Sequence, residues 1–299
     1  MNGNAGRKSE RERIIEILER APEILTLPSV VNDVLDVVSR KTSSSLELTK
    51  IIESDPALTT RILTVANSAY YGFVKKISTI SHAVVVLGFQ EIQNIALSMS
   101  VVRLFDRKGS EFSEDLWRHS FSVGVATKMI AQYLARKIDG KYFVSGLLHD
   151  VGKIFLSQYM PEPFTRLLSL MDEKGNNYTY HALEETIFGI THAEVGEILL
   201  CSWMFPSDIV NAVAFHHTPS KATVDPIFPA CIHLADLLCT IKGITPLKEH
   251  HLASIDRDVI PLIHEVKQDF GTEDMTALLS QLDIEIERQG SFVSAFKKN

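Results

Sequence analysis

The chain has 299 residues, 45% of them apolar and 22% charged, and carries a net charge of −7 with its eleven histidines neutral. That length holds one large or two ordinary domains with a substantial core. The acidic balance argues against a primary nucleic-acid binder, whose footprint is a basic face.

The three cysteines, Cys201, Cys231 and Cys239, lie in apolar helical patterns and form no Cys-x-x-Cys pair. That fits small buried hydrophobes in a reducing compartment better than disulfides. The N-terminus, Met1 to Arg13, is polar and charged and lacks the apolar stretch of a signal peptide. Apolar runs such as Ala83 to Phe89 are too short to span a bilayer. The expectation is a soluble cytoplasmic protein with no membrane contact.

In chain order the predicted elements are helices. Arg11 to Arg20 is a short amphipathic helix, broken by Leu27-Pro28-Ser29, and Val30 to Arg40 repeats apolar residues at helical spacing. Ser44-Ser45-Leu46-Glu47 has the form of a capping box, and Asp55-Pro56 pairs an N-cap with a proline at the first helical position. Asn67 to Gly72 reads as a turn, Ser81 as the cap of a helix ending near Gly88, and Gln90 to Phe105 as another helix. Asp106 to Ser110 is a polar, glycine-containing break and the predicted domain boundary. A long helix follows from Ser113 to about Arg136, with Leu116, His119, Val123, Ala126, Ile130 and Leu134 on its buried stripe.

Tyr142 to Leu148 leads into His149-Asp150, and the helix restarts after Gly152. Gly175-Asn176-Asn177 is a loop. Thr191-His192-Ala193-Glu194 is a second capping box, which places His192 in a first turn. Pro206-Ser207 opens a helix carrying His216 and His217 near its end, and Asp225-Pro226 opens one on which Ile232, Asp236 and Cys239 share a face. Val259 to Phe270 and Met275 to Arg288 are amphipathic, and the tail is polar. The pattern is all-α, divided into an N-terminal bundle at 10–106, a helical domain at 111–245 and an extension at 246–299.

One histidine on an apolar helical face is an ordinary hydrogen-bonded core residue. His119, His149, Asp150, His192, His216, His217 and Asp236 together are costly to bury without a shared partner. A transition-metal ion is such a partner. Seven ligands exceed what one ion takes but fit two ions bridged by a carboxylate, about 3.5–4 Å apart, that activate a water for attack on phosphorus. Asp150, beside His149 and central in the order, is the natural bridge and the candidate catalytic carboxylate. Lys153 is either a substrate-binding and catalytic charge for a phosphate oxygen or a solvated lysine. His233, three residues before Asp236, is a candidate outer partner. His82, His181, His250, His251 and His264 read as structural or exposed. Asp33, Asp36 and Glu47 read as surface charges and caps.

The order His119, His149-Asp150, Asp236 resembles the HD superfamily of metal-dependent phosphohydrolases. His192, His216-His217 and the His-Asp-Val-Gly-Lys string resemble its HD-GYP branch, which hydrolyses cyclic di-GMP. After His216-His217, however, the chain reads Thr218-Pro219-Ser220-Lys221 rather than the Gly-Tyr-Pro signature and its preceding acidic residue. The N-terminal half is similar to the HDOD family of all-helical bacterial signalling modules, through Leu27-Pro28-Ser29, Ile52-Glu53-Ser54-Asp55-Pro56-Ala57-Leu58-Thr59, Ile62 to Gly72, Ile80-Ser81-His82-Ala83 and Leu87-Gly88. The resemblance implies an N-terminal bundle packed on a C-terminal HD-like domain. One ion would lie on His119, His149, Asp150 and Asp236, the other on Asp150, His192, His216 and His217. The ions could be iron, manganese, nickel or zinc, divalent or mixed-valence. Two functions follow. One is a phosphohydrolase acting on a nucleotide or cyclic dinucleotide. The other is a non-catalytic module that binds a signalling partner and keeps a structural or sensory metal.

Overall fold

In the computed structural model the described residues are 9–20, 33–37, 40, 44–67, 71–73, 75–102, 111–136, 140–174, 179–246 and 255–288, and among them there is no strand. The N-terminal part holds α1 (Glu10–Glu19), a short helical piece at 33–37, α2 (Ser45–Glu53), α3 (Pro56–Ala66), α4 (Ile80–Leu87) and α5 (Phe89–Val102). There follow α6 (Glu111–Tyr133), α7 (Lys141–Leu148), α8 (Val151–Tyr159), α9 (Pro161–Lys174), α10 (Tyr180–Phe188), α11 (His192–Ser202) and α12 (Ser207–Ala214). A single 3-10 turn, Pro219–Lys221, precedes α13 (Ile227–Ile241), α14 (Val259–His264) and α15 (Thr272–Arg288). The expected all-α class is the observed one. The expected features at Leu27-Pro28-Ser29, Asp106 to Ser110, Gly175-Asn176-Asn177, His250, His251 and the polar tail lie outside the described residues.

The helix starts follow side-chain chemistry. Asp55 accepts hydrogen bonds from the Ala57 and Leu58 amides at the head of α3, and Pro56 occupies the first position, where no amide is needed. The Ser44 hydroxyl accepts from the Glu47 amide at the head of α2, but the Glu47 carboxylate turns to Arg40, 2.7 Å away. That expected box is therefore half formed, because a cation competes for its acid. At α4 the cap is Thr79 rather than Ser81: its hydroxyl accepts from the His82 amide, and the helix begins a residue before Ser81. Gly88 ends α4 with φ of +93°, a conformation that strains any residue bearing a Cβ, and the apolar axes of α4 and α5 turn by 119° there. Among the described residues, no single helix is long and apolar enough to cross a membrane.

Three further expectations are corrected. Asp225 does not cap α13, since its carboxylate is held by Arg136 at 2.6 and 2.8 Å. Residues Val259 to Phe270 are helical only to His264, whose Nε2 bonds the Phe270 carbonyl as the chain turns. Cys201 is exposed, whereas Cys231 and Cys239 are buried, and all three are free.

Two apolar clusters hold the fold. The first runs from Ile14 and Leu18 of α1 through α2–α5 and α6–α12. The second joins the far side of α6 to α13, α14 and α15 through Ile130, Phe228, Leu238, Ile263 and Leu278. Fully buried Phe121, Phe155, Phe188 and Phe228 each contribute about 1.5–3 kcal/mol through lost water contact. The long helix α6 belongs to both clusters and is flanked by α7 and α13. The α1 helix lies on α10 and α11, where Arg11 donates to the Gly189 carbonyl at 2.5 Å. The site therefore forms where α6, the α7–α8 junction, α11, the turn after α12 and α13 converge.

Candidate metal centre

Each candidate side chain is aimed by local structure. His119 sits on the buried stripe of α6, and its Nδ1 bonds the Ile244 carbonyl at 2.7 Å. His149 closes α7 with its Nδ1 on the Gly146 carbonyl at 2.7 Å. Asp150 leaves the helical path, with φ of −100° and ψ of 14°, and α8 starts at the next residue. The break thus falls at His149-Asp150, two residues before the expected restart. Gly152 lies inside α8, where a Cβ would stand 2.0 Å from the His192 carbonyl oxygen. Its role is close backbone approach, which only a glycine permits at that separation.

His192 opens α11, fixed by a complete capping box between Thr191 and Glu194. Its Nδ1 meets the Glu184 carboxylate of α10 at 2.6 Å, and its amide donates to the same oxygen at 3.1 Å. His216 and His217 are not in a helix as expected but in the turn that follows α12. There His216 Nδ1 bonds the Val213 carbonyl at 2.6 Å. His233 takes the outer position that its sequence suggests, by way of His216. Its Nδ1 bonds the His216 carbonyl at 2.8 Å, and its Nε2 accepts from the Asp256 amide at 3.1 Å. It braces the turn that presents His216 and His217.

A ring nitrogen that faces a carbonyl must carry the proton, so in a neutral imidazole the other nitrogen presents a lone pair. That rule sends Nε2 of His119, His149 and His216 inward, and the Glu184 carboxylate does the same for His192. The inward atoms form two groups of potential metal ligands, His119–His149–Asp150 and His192–His216–His217. In the second group His192 Nε2 is 3.3 Å from His216 Nε2 and 3.0 Å from His217 Nε2. His192 and His216, each with Nδ1 on an acceptor, direct lone pairs at one another, and these repel unless a cation lies between them. Metal–nitrogen bonds of about 2.0–2.1 Å in a tetrahedral arrangement hold nitrogens about 3.3 Å apart.

Asp150 lies between the groups. Its Oδ1 is 3.2 Å from His192 Nε2, while its Oδ2 is 3.4 Å from His149 Nε2 and 3.6 Å from His119 Nε2. Asp236 joins through its 3.3 Å approach to His119 and is 25% exposed, whereas His119, His149, Asp150 and His192 are sealed. Lys153 is buried rather than solvated, with Nζ 2.9 Å from Asp150 Oδ2 and 4.5 Å from the centre of the Tyr180 ring. The ammonium neutralises Asp150 by proximity without an aligned hydrogen bond, and both Asp150 oxygens and His149 Nε2 have none. Buried polar atoms in that condition are rare and mark a group awaiting a ligand. Asp150, Asp236 and Glu184 against the single Lys153 leave the cluster anionic, and the donor set fits transition ions.

The electrostatics agree. Burial pushes the Asp150 carboxyl up, but His149, Lys153, His192 and His119 together hold it well below its usual range. Burial lowers His149, drives His192 and His217 well below the ordinary imidazole value, and brings His216 to about 3. Against the same burial, the bond to Asp236 raises His119. The imidazoles other than His119 are thereby held neutral, the form that ligates metal.

The sequence did not disclose Glu184 or Tyr180. Glu184 is fully buried on the apolar face of α10 with Tyr180, Leu183 and Phe188, and a glutamate at a core position of the helical pattern was the available signal. The backing carbonyls of Gly146, Val213 and Ile244 have no sequence signature. Among the other described histidines, His82 and His264 belong to neither group, and His181 packs edge-on against His217, with ring centres 5.5 Å apart.

The fold and these groups define a class: all-helical proteins with a paired histidine–aspartate cluster in the core. The chain belongs to the HDOD family, whose model matches residues 24–219 and so includes every candidate ligand but Asp236. An uncharacterized protein of Treponema pallidum is 27% identical over 202 residues, 67% of this chain but 39% of that one, so the chain spans about two fifths of its relative's length. Among solved structures, an HDOD domain protein of unknown function from Geobacter sulfurreducens matches with TM-score 0.73 and 24% identity over 93% of this chain and 99% of that one. A candidate phosphohydrolase from Shewanella amazonensis matches with TM-score 0.72 and 20% identity over 95% and 97%. At these identities the structural likeness shows the fold alone.

Proposed function

We propose that the chain is a bacterial, cytoplasmic signalling protein whose central domain holds two transition-metal ions and hydrolyses a phosphoester of a nucleotide or cyclic dinucleotide. The observation that carries this reading is the placement of Asp150, with one oxygen toward His192 and the other toward His119 and His149. His119, His149, Asp150 and Asp236 hold one ion, and Asp150, His192, His216 and His217 hold the other. Iron, manganese, nickel and zinc all suit these donors. When bound, such a pair supplies a nucleophile at neutral pH and a clamp on the phosphoryl oxygens.

The chain's own residues do the rest. The carbonyls behind His119, His149 and His216 fix ring orientation, and burial keeps bulk water away from the donors. Lys153 places an ammonium beside the bridge, suited to a phosphate oxygen once Asp150 is engaged by cations. In this reading residues 10–106 are the N-terminal bundle, 111–245 the metal domain and 246–299 a C-terminal extension whose described helices α14 and α15 pack on α6 and α13.

The near-complete burial of four of the donors favours a second reading, a closed metal site in a non-catalytic module that binds a signalling partner. Counting ions per purified chain and then assaying nucleotides and cyclic dinucleotides tests both. Two ions with turnover support the first reading. Bound metal without turnover moves the assignment to the second. No ion after incubation with iron, manganese, nickel and zinc overturns both.

A further inference from the structure

Among the described residues, Glu184 is a fully buried carboxylate that is not a candidate ligand. It is 0% exposed, and one of its oxygens takes both the Nδ1 and the main-chain amide of His192. The contrast with the other inward-facing rings is chemical. His119, His149 and His216 rest on neutral carbonyls, of Ile244, Gly146 and Val213. His192 alone among these four rests on an acid.

We propose that Glu184 is a positioning residue that makes the two metal positions unequal, strengthening the hold of the His192–His216–His217 position over that of the His119–His149–Asp236 position. This rests on the two-metal reading above. Two physical effects act together. Gripping both the ring and the backbone of His192 fixes the imidazole before an ion arrives, so little ordering remains to be done on binding. A carboxylate behind an imidazole also makes the opposite nitrogen a stronger donor, an effect that typically changes metal affinity by about 10–100-fold when the outer partner is lost. A carbonyl supplies the orientation without the charge. The ion at the Glu184-backed position is accordingly the last to leave when a chelator strips the protein.

The experiment is a chelator titration followed by ion counting on the full chain, using zinc or manganese as the probe, for the unsubstituted protein, Glu184→Gln and Glu184→Ala. Glu184→Gln keeps the size and an acceptor oxygen but removes the charge. His192→Ala serves as the control that empties the same position. Nitrogen-resolved NMR of the metal-free protein reads the His192 tautomer independently of any ion.

The expected result is two-step release from the unsubstituted protein, with the tighter step weakened about 10–100-fold in both Glu184 variants and the weaker step unmoved. His192 should be protonated at Nδ1 in the metal-free protein, and that preference should be lost in Glu184→Ala. Identical release curves for Glu184→Gln and the unsubstituted protein, while His192→Ala still loses one ion, would overturn the role of Glu184 and leave the metal centre standing. Equal weakening of both steps would also overturn it, since the effect would then be on the fold. No ion bound by the unsubstituted protein would remove the metal centre and this role with it.

Discussion

The Lys153 ammonium lies 2.9 Å from Asp150 Oδ2, and both groups are buried in the centre of the helical core. Neither charge has bulk water to fall back on, so each leans on the other, on the imidazoles around them and, for Lys153, on the Tyr180 ring. Removing one member of such a pair leaves an uncompensated buried charge, which costs about 3–5 kcal/mol.

Asp150→Ala should therefore act twice. It should abolish two-ion binding, because the carboxylate that faces both histidine groups is gone. It should also lower the thermal midpoint of the metal-free protein, because the buried Lys153 loses its nearest carboxylate. Ion counting and a melting curve read the two effects separately. Full metal content in this variant would rule out the assignment of Asp150 as the bridge.

Lys153→Ala distinguishes the two functional readings. Lys153 is not in either ligand group, so metal content should stay at the unsubstituted level. Phosphoester hydrolysis should fall by at least about tenfold if the ammonium meets the phosphoryl group, in line with the loss of one charge-assisted contact worth about 1.5–3 kcal/mol. A kinetic comparison at matched metal loading decides this. Unchanged turnover would leave Lys153 with only its structural pairing to Asp150.

Gly152→Ala should be far more damaging than its size suggests. The added methyl would stand 2.0 Å from the His192 carbonyl oxygen, which is backbone and cannot rotate away. The overpacking cost should reach or exceed the usual 1–3 kcal/mol or so. Gly196→Ala, one turn along α11, meets the Val213 methyl at 3.1 Å and should cost less. Chemical denaturation of the two variants, side by side, gives the ranking.

The metal-free protein should lose stability on acidification. His149, His192, His216 and His217 have lowered values in the fold, so below about pH 6.5 the unfolded chain takes up protons that the folded chain refuses. For His216 the window runs from 6.5 down to about 3. Each refused proton removes about 1.4 kcal/mol per pH unit. His119 is raised and works in the opposite sense, but the lowered imidazoles, His181 among them, outnumber it. Melting curves of metal-stripped protein between pH 7 and pH 4.5 should show a falling midpoint, and a flat profile would contradict the burial of neutral imidazoles.

Much of this was legible in the sequence because helices report themselves through period and caps. The buried stripe of α6 placed His119 correctly, and the Thr191–Glu194 box placed His192 in a first turn. The same local rules failed where a distant partner intervened. Arg40 took Glu47 from its box, and Arg136 took Asp225 from its cap. No local pattern could foresee either, since the competing cation is remote in sequence or folded back from outside the helix. Gly152 read as a helix break because the His192 backbone that requires it lies 40 residues on. The candidate ligands stand out as residue types, and the fold brings them together. Their outer supports do not stand out, because a carbonyl is common to every residue and only the tertiary fold selects Ile244, Gly146 and Val213.

The clasp through His233 has a consequence for what counts as the family's unit. The family match stops at residue 219, yet Asp236, the Ile244 carbonyl behind His119 and the Asp256 amide that holds His233 all come later. The shared segment brings most of the candidate ligands, and the segment after it determines how firmly two of them are aimed. Two proteins with identical motifs up to that point, continued by different C-terminal helices, would own different centres. Comparing motifs alone would then class a working centre and a slack one together, and the difference would be written in carbonyls and amides that no motif records.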